Sequence, residues 1–240
     1  MKIQTIYDLL NEISPFSLQE EWDNSGLIVG SFNDEVERVY VTLDLDEELL
    51  EGIKSNSLIL AHHPLIFKPL KNVIPTNFST KLLTKLIKKD ISFIAMHTNF
   101  DKTHLNGYVA EEILSFKGIS EDFVYYADVD MSFEDALNLV KEKLNLKHIK
   151  FVKTKDKIKK IALTTGAGMS LLPYIKADLF LTGDIKYHEA MDAKIRGVSL
   201  IDIGHYESEI FFVDCMYEAI KHFDIEIVKL KQKNPFMYSG

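Results

Sequence analysis

Histidine recurs at four places in this chain, each time just after an apolar run and in the last three with a carboxylate: "AHHPLIF" (61–67), "AMHTNFD" (95–101), "GDIKYHEAM" (183–191) and "GHYESEI" (204–210). Imidazole and carboxylate without thiolate suit Zn, Fe, Mn, Co or Ni and do not choose among them. Neighbouring side chains on an extended chain point to opposite faces. His62 and His63 are therefore expected to serve two ions rather than one, and Pro64 biases His63 toward the extended state. His205 and Glu209 have the i, i+4 spacing of one helix face, and the two oxygens of Glu209 allow it to bridge. His97 and Asp101 repeat that spacing. Two divalent ions ~3.5–4 Å apart would generate a bridging hydroxide and clamp an anionic transition state. With Asp101, Glu209 and the hydroxide counted, such a centre stays positive, which suits phosphate or a developing oxyanion.

Six short apolar runs must position these groups: "RVYVTLD" (38–44), "SLILAHH" (57–63), "ISFIAMH" (91–97), "KIALTTG" (160–166), "DLFLTGD" (178–184) and "SLIDIGH" (199–205). Continuous apolar runs of this length fit strands buried on both faces of a parallel sheet. Helical patterns lie between them, in "DEELLEGIKS", "STKLLTKLIKKD", "MSLLPYIKA" and "EIFFVDCMYEAIKHF", and "MKIQTIYDLLNEI" reads as an amphipathic N-terminal helix. Alternation of strand and helix means α/β. The units that begin at Arg38 and Lys160 each reach a polar strand end 24 residues later, at His62 and Asp184. This echo predicts two similar three-layer α/β halves with largely parallel sheets facing a shared cleft, where ligands collect at carboxyl strand ends. One continuous sheet is the alternative. The predicted halves are 1–125, carrying His62, His63, His97 and Asp101, and 126–240, carrying His188, His205 and Glu209, with a C-terminal tail that returns to the first half. The seam falls in the acid-rich "KGISEDFVYYADVDM", and Ser132 with Asp135 opens a capped helix after it.

The net charge of −8 and pI near 5.5 argue against duplex nucleic-acid binding. No apolar stretch is long enough to span a membrane, and the N-terminus lacks a signal-peptide layout. The single Cys215 reads as a small buried hydrophobe and fits a reducing, cytoplasmic home. Seven lysines within 147–160 read as a solvated hairpin face, against a basic rim for an anionic substrate. "TTGAGMS" (164–170) reads as a plain strand-to-helix turn, and an anion site on its amides is the rival. Asp44 reads as a helix N-cap, and His148 and His222 as surface residues. Trp22 in "WDNSGL" reads as core, against a placement of Asp23 and Asn24 beside the metal cleft.

The chain resembles the Nif-three-like family, whose bacterial members carry the label GTP cyclohydrolase 1 type 2 homologue. The resemblance rests on "EEWDNSGLIVG" (20–30), "AHHPLIF", "AMHTNFD", "DLFLTGDIKYHEAMDA" (178–193), "IDIGHYESE" (201–209) and "KNPF" (233–236), in that order. It implies a dinuclear centre with one ion on His63, Asp101 and Glu209, the other on His62, His205 and Glu209, and Glu209 bridging. His97 would lie beside the site and His188 would face the cavity, and both are candidate catalytic proton carriers. The resemblance also implies a homohexameric ring. The implied activity is hydrolysis of a small anionic molecule, with nucleotide as the specific version and GTP ring opening by metal-bound hydroxide as the family label suggests. The alternative is a non-catalytic dinuclear metal-binding oligomer acting in protein interaction or metal handling. Two departures from the family pattern stand out. The chain has no room for the domain many relatives insert at the middle seam, and "DKTHLNGYVA" lacks their glycine soon after Asp101, which places His104 near the cavity mouth.

Overall fold

The computed structural model describes residues 1–237. They form two compact units, Met1–Phe100 with Phe212–Lys233, and Asp101–Phe211 with the residues from Asn234 onward. Among the described residues no helix is long and apolar enough to cross a membrane.

The first unit holds α1 (Ile3–Ile13), β1 (Gly26–Val29), β2 (Arg38–Thr42), α2 (Glu47–Gly52), β3 (Ser57–Ala61), α3 (Phe78–Lys89), β4 (Ile91–Ala95) and the short turn α4 (Thr98–Phe100). Its sheet runs β1-β4-β3-β2-β11, with β11 formed by Glu226–Lys229 near the C-terminus. The pairs among β4, β3, β2 and β11 are parallel, and β1 is antiparallel on β4. Side chains alternate across the sheet. Tyr40, Ile59 and Phe93 pack with Leu50 of α2 and Leu82, Leu83 and Leu86 of α3. On β2 and β3, Val39, Val41, Leu58 and Leu60 are also buried, which is why these strands read as continuous apolar runs. α2 starts where Asp46 accepts the Leu49 N–H, with Glu47 and Glu48 complementing the helix dipole.

The second unit begins with helical turns: a π-helical turn over Asp101–Leu105, α5 (Asn106–Tyr108) and a second π-helical turn over Val109–Ile113. Then come β5 (Gly118–Glu121), β6 (Val124–Ser132), α6 (Phe133–Lys143), β7 (Phe151–Val152), β8 (Lys157–Leu163), a 3₁₀ turn (Met169–Tyr174), β9 (Leu179–Thr182), α7 (Tyr187–Arg196), β10 (Ser199–Asp202) and α8 (His205–Glu209). The chain then re-enters the first unit through α9 (Phe212–Ile220). The second sheet runs β5-β6-β8-β9-β10-β7. Its centre, β8-β9-β10, is parallel, and its flanks are antiparallel.

All six predicted strands are present, and the β2-α2-β3 and β8-3₁₀-β9 segments each join parallel neighbours. Several local readings change. The acid-rich segment expected as a seam, near 120–135, falls largely in a β-hairpin over 118–132 turned at Asp122, whose φ is +54°, which buries Val124, Tyr125, Tyr126 and Ala127. The units instead divide at Phe100/Asp101. Residues 151–152 and β8 do not form a hairpin. Both edges of β8 are taken by β6 and β9, so β7 pairs with β10. "MSLLPYIKA" forms a 3₁₀ turn containing Pro173 rather than an α-helix. The C-terminal strand β11 pairs with β2, and Ser132 and Asp135 form the capping box.

Candidate metal centre

In the first unit β3 ends at Ala61 and the chain bends. The N–H groups of His62 and His63 both reach the Leu43 carbonyl, at 3.1 and 3.2 Å. The bend overrides the alternation expected of an extended pair, and the two rings lie 4.9 Å apart. His97, two residues past the end of β4, brings its ring to 5.0 Å from His62 and 5.3 Å from His63. One ring nitrogen of each histidine lies within 4.8 Å of the others. His62 and His97 are buried and His63 partly so.

Each imidazole is held through Nδ1. His62 Nδ1 meets the Met96 carbonyl at 2.9 Å, His63 Nδ1 meets Asp44 Oδ1 at 2.9 Å, and His97 Nδ1 meets Asp23 Oδ1 at 2.8 Å. All three acceptors are oxygens, so Nδ1 carries a hydrogen toward its anchor and Nε2 is directed away from it. That is how metal-ligating histidines are oriented. Asp23 also accepts from the Asn24 N–H, the Ser25 hydroxyl, and both the N–H and hydroxyl of Thr98. Burial alone would raise its pKa, but the hydrogen bonds and charge of His97, with those of Thr98 and Asn24, hold it well below the usual carboxylate range.

Sequence reasoning missed Asp44 as a histidine anchor. Asp46 takes the N-cap role assigned to it, and Asp44 turns to His63. The alternation in "TLDLDEE" was the available signal, since Asp44 and Asp46 are both eligible caps and only one is needed. Asp23 takes the place beside the cluster that was the alternative reading. Trp22 is not core: it is 61% exposed.

In the second unit β10 ends at Asp202, and Gly204, at φ +74°, opens α8. His205 and Glu209 share a face of this single turn, with Nε2 to Oε2 at 3.0 Å. His205 Nδ1 meets Asp184 Oδ2 at 2.7 Å. Both ring nitrogens thus face carboxylate oxygens. A neutral imidazole has one N–H, so the second contact requires an imidazolium, a protonated carboxyl or a cation. Glu209 is 3% exposed, which makes an uncompensated carboxylate costly. Gly166, at φ +60°, permits this placement, because a Cβ there would lie 2.0 Å from Glu209 Oε1.

The remaining expected residues are placed as follows. Asp101 is buried and starts the first π-helical turn, a distortion frequent at functional sites. His188 is exposed on the first turn of α7, its ring edge-on to Tyr187 at 5.3 Å, and is not among the residues whose ligand atoms cluster. Burial lowers the His104 pKa, and its Nδ1 lies 2.8 Å from the Thr103 hydroxyl. Four lysines of the lysine-rich stretch are paired: Lys150 with Asp202, Lys153 with Glu134 and Asp156, Lys155 with Asp178, and Lys157 with Asp130. In "TTGAGMS" the amides of Thr165, Gly166 and Gly168 are taken by Asn106, Ser208 and Thr182, as a structural turn requires. Cys215 is buried and its thiol is pushed up to about 12 by desolvation.

Fold and site together define an α/β protein with imidazole and carboxylate donors gathered at strand ends, a donor set able to hold a metal ion. The chain belongs to the Duf34/NIF3 (NGG1p interacting factor 3) family, whose profile matches residues 1–235. It is 44% identical over 240 residues to a Campylobacter jejuni protein named GTP cyclohydrolase 1 type 2 homolog, covering 99% of this chain and 100% of that one. It is 40% identical over 236 residues to the GTP cyclohydrolase 1 type 2 of Helicobacter pylori strain J99, covering 97% of each. The crystal structure of a Staphylococcus aureus hypothetical protein superposes with a TM-score of 0.87 at 29% identity, covering 100% of this chain and 99% of that one.

Proposed function

We propose that this protein is a dinuclear-metal-dependent hydrolase of a small anionic substrate, and that GTP ring opening is its specific version. The proposed ligands are His63, Asp101 and Glu209 for one ion, and His62, His205 and Glu209 for the other, with Glu209 bridging. The observation that carries the metal is the orientation of the imidazoles: His62, His63, His97 and His205 are each tied by Nδ1 to an oxygen acceptor. The relatives' names motivate GTP.

When bound, such ions supply Lewis acidity. The chain's own residues do the rest. Asp44 and Asp184 fix the rings of His63 and His205. Asp23 holds His97 with its Nδ1 hydrogen-bonded, so His97 exchanges a proton through Nε2. His188 is the second proposed proton carrier, and its exposure lets it pass a proton to solvent.

The proposal extends to a cytoplasmic homohexamer. Tyr187, Met191 and Ile195 support self-association, since they lie at i, i+4 and i+8 on α7 and are all exposed.

Elemental analysis of protein purified without added metal tests the centre: a ratio near two ions per chain is expected, and near zero with no rebinding sinks it. Steady-state product release from GTP by metal-loaded protein tests the activity. Metal uptake without turnover of any nucleotide in a broad panel selects the non-catalytic metal-binding alternative.

A further inference from the structure

Trp22 and Phe67 are exposed, at 61% and 45%, and both stand edge-on to the same imidazole. Their rings lie 5.9 and 5.7 Å from that of His97, at 76° and 83°. Neither aromatic is on a loose loop. Asp23, next to Trp22, is fastened to His97, Thr98 and Ser25, and the side chain of Asn24 donates to the Ile66 carbonyl at 2.6 Å. That last bond ties the Trp22 segment to the residue preceding Phe67. Gln19 closes the base of the Trp22 turn, accepting the Ser25 N–H and donating to the Ser25 carbonyl. Two large apolar rings are thus held rigidly in solvent beside the histidine cluster, an arrangement with no folding benefit that marks a binding surface.

We propose that Trp22 and Phe67 form an aromatic clamp that receives a planar heteroaromatic ring of a small-molecule substrate and presents its edge to His97. Exposed aromatic faces stack bases with little regard to their identity. The ring should carry nitrogen or oxygen at its rim, because that rim meets imidazole rather than hydrocarbon. In "WDN", the tryptophan is the contact, the aspartate fixes the histidine, and the asparagine fixes the opposite wall. The inference rests on the proposal that the histidine cluster is the reactive centre.

Trp22 is the only tryptophan in the sequence, so its emission reads the clamp directly. Full-length metal-free protein titrated with inosine, cytidine, GTP and inorganic tripolyphosphate should show saturable quenching by the three ring-bearing probes and none by tripolyphosphate. In calorimetry Trp22→Ala should weaken inosine binding by roughly 10-fold or more, and Trp22→Phe should keep it within about 3-fold. Phe67→Ala gives an independent reading of the other wall. Quenching by tripolyphosphate alone, no quenching by any ring, or unchanged affinity in Trp22→Ala overturns the clamp. So does emission that is blue-shifted and protected from iodide in the unliganded protein, which would mean a second copy covers Trp22. An oligonucleotide that quenches at far lower concentration than the mononucleotides overturns the small-molecule assignment. Metal uptake is scored on the same preparation. Metal bound with nucleosides ignored sinks the clamp alone, and nucleosides bound with no metal sinks the metal centre alone.

Discussion

The carboxylate behind His97 is wholly buried and gathers hydrogen bonds from Asn24, Ser25 and Thr98 as well, whereas the carboxylate behind His205 is 55% exposed. Both do the same thing, fixing an imidazole by its Nδ1. They do it in different solvents. In the first unit the anchor sits in a place water does not reach, and it is held by two stretches of chain, 24–25 and 97–98. In the second, the anchor is Asp184, at φ +56°, on a loop end that water can reach. A buried anchor cannot be replaced by solvent when it is removed; an exposed one can, in part. The second unit invests its precision elsewhere, in the close approach of Gly166 to the buried Glu209.

The contrast can be broken experimentally, and the largest effect is expected at Glu209. Glu209→Ala should reduce the metal-to-chain ratio from about two to below one, read by elemental analysis; an unchanged ratio removes Glu209 from the centre. Gly166→Ala comes next. A side chain at positive φ pressed against Glu209 should cost ~1–3 kcal/mol in urea unfolding and lower metal content together with stability. Full stability with full metal content would show that the turn relaxes without cost.

Asp44→Asn and Asp184→Asn sharpen the comparison. Loss of such an anchor weakens metal affinity by ~10–100-fold. Asp44, the less exposed of the two, should lie at the upper end and Asp184 at the lower. Competition with a chromophoric chelator ranks them, and the reverse order refutes the solvent argument. Asp23 supplies a pH test. Its folded pKa lies below the unfolded value, so its contribution to stability is complete above about pH 4 and is lost as pH falls below that. Asp23→Asn should flatten the acid limb of the stability curve there and leave the limb above about pH 5 parallel to wild type. The smallest effect concerns Cys215: with its thiol pushed up to about 12, native protein at neutral pH should not react with a thiol reagent until it is denatured.

Much of this was legible in the residues. Buried parallel strands announce themselves as unbroken apolar runs, and polar groups at their carboxyl ends mark where chemistry collects. The hairpin at 118–132 was not legible, because Glu121, Asp122, Asp128 and Asp130 make the stretch read as acid-rich and hide the short buried run Val124–Ala127. Nor was the pairing of β7, since two residues carry no periodicity and their place was decided by which sheet edge remained open.

The identity and order of the histidines, aspartates and Glu209 at strand ends were determined by the sequence alone, because a strand's length and the residue that follows it are local properties. Which oxygen stands behind each imidazole was decided only by the tertiary structure. Asp23 is 74 residues from His97 and Asp44 is 19 from His63. Such pairings depend on how strands register and where the chain bends, and no window of sequence contains that information.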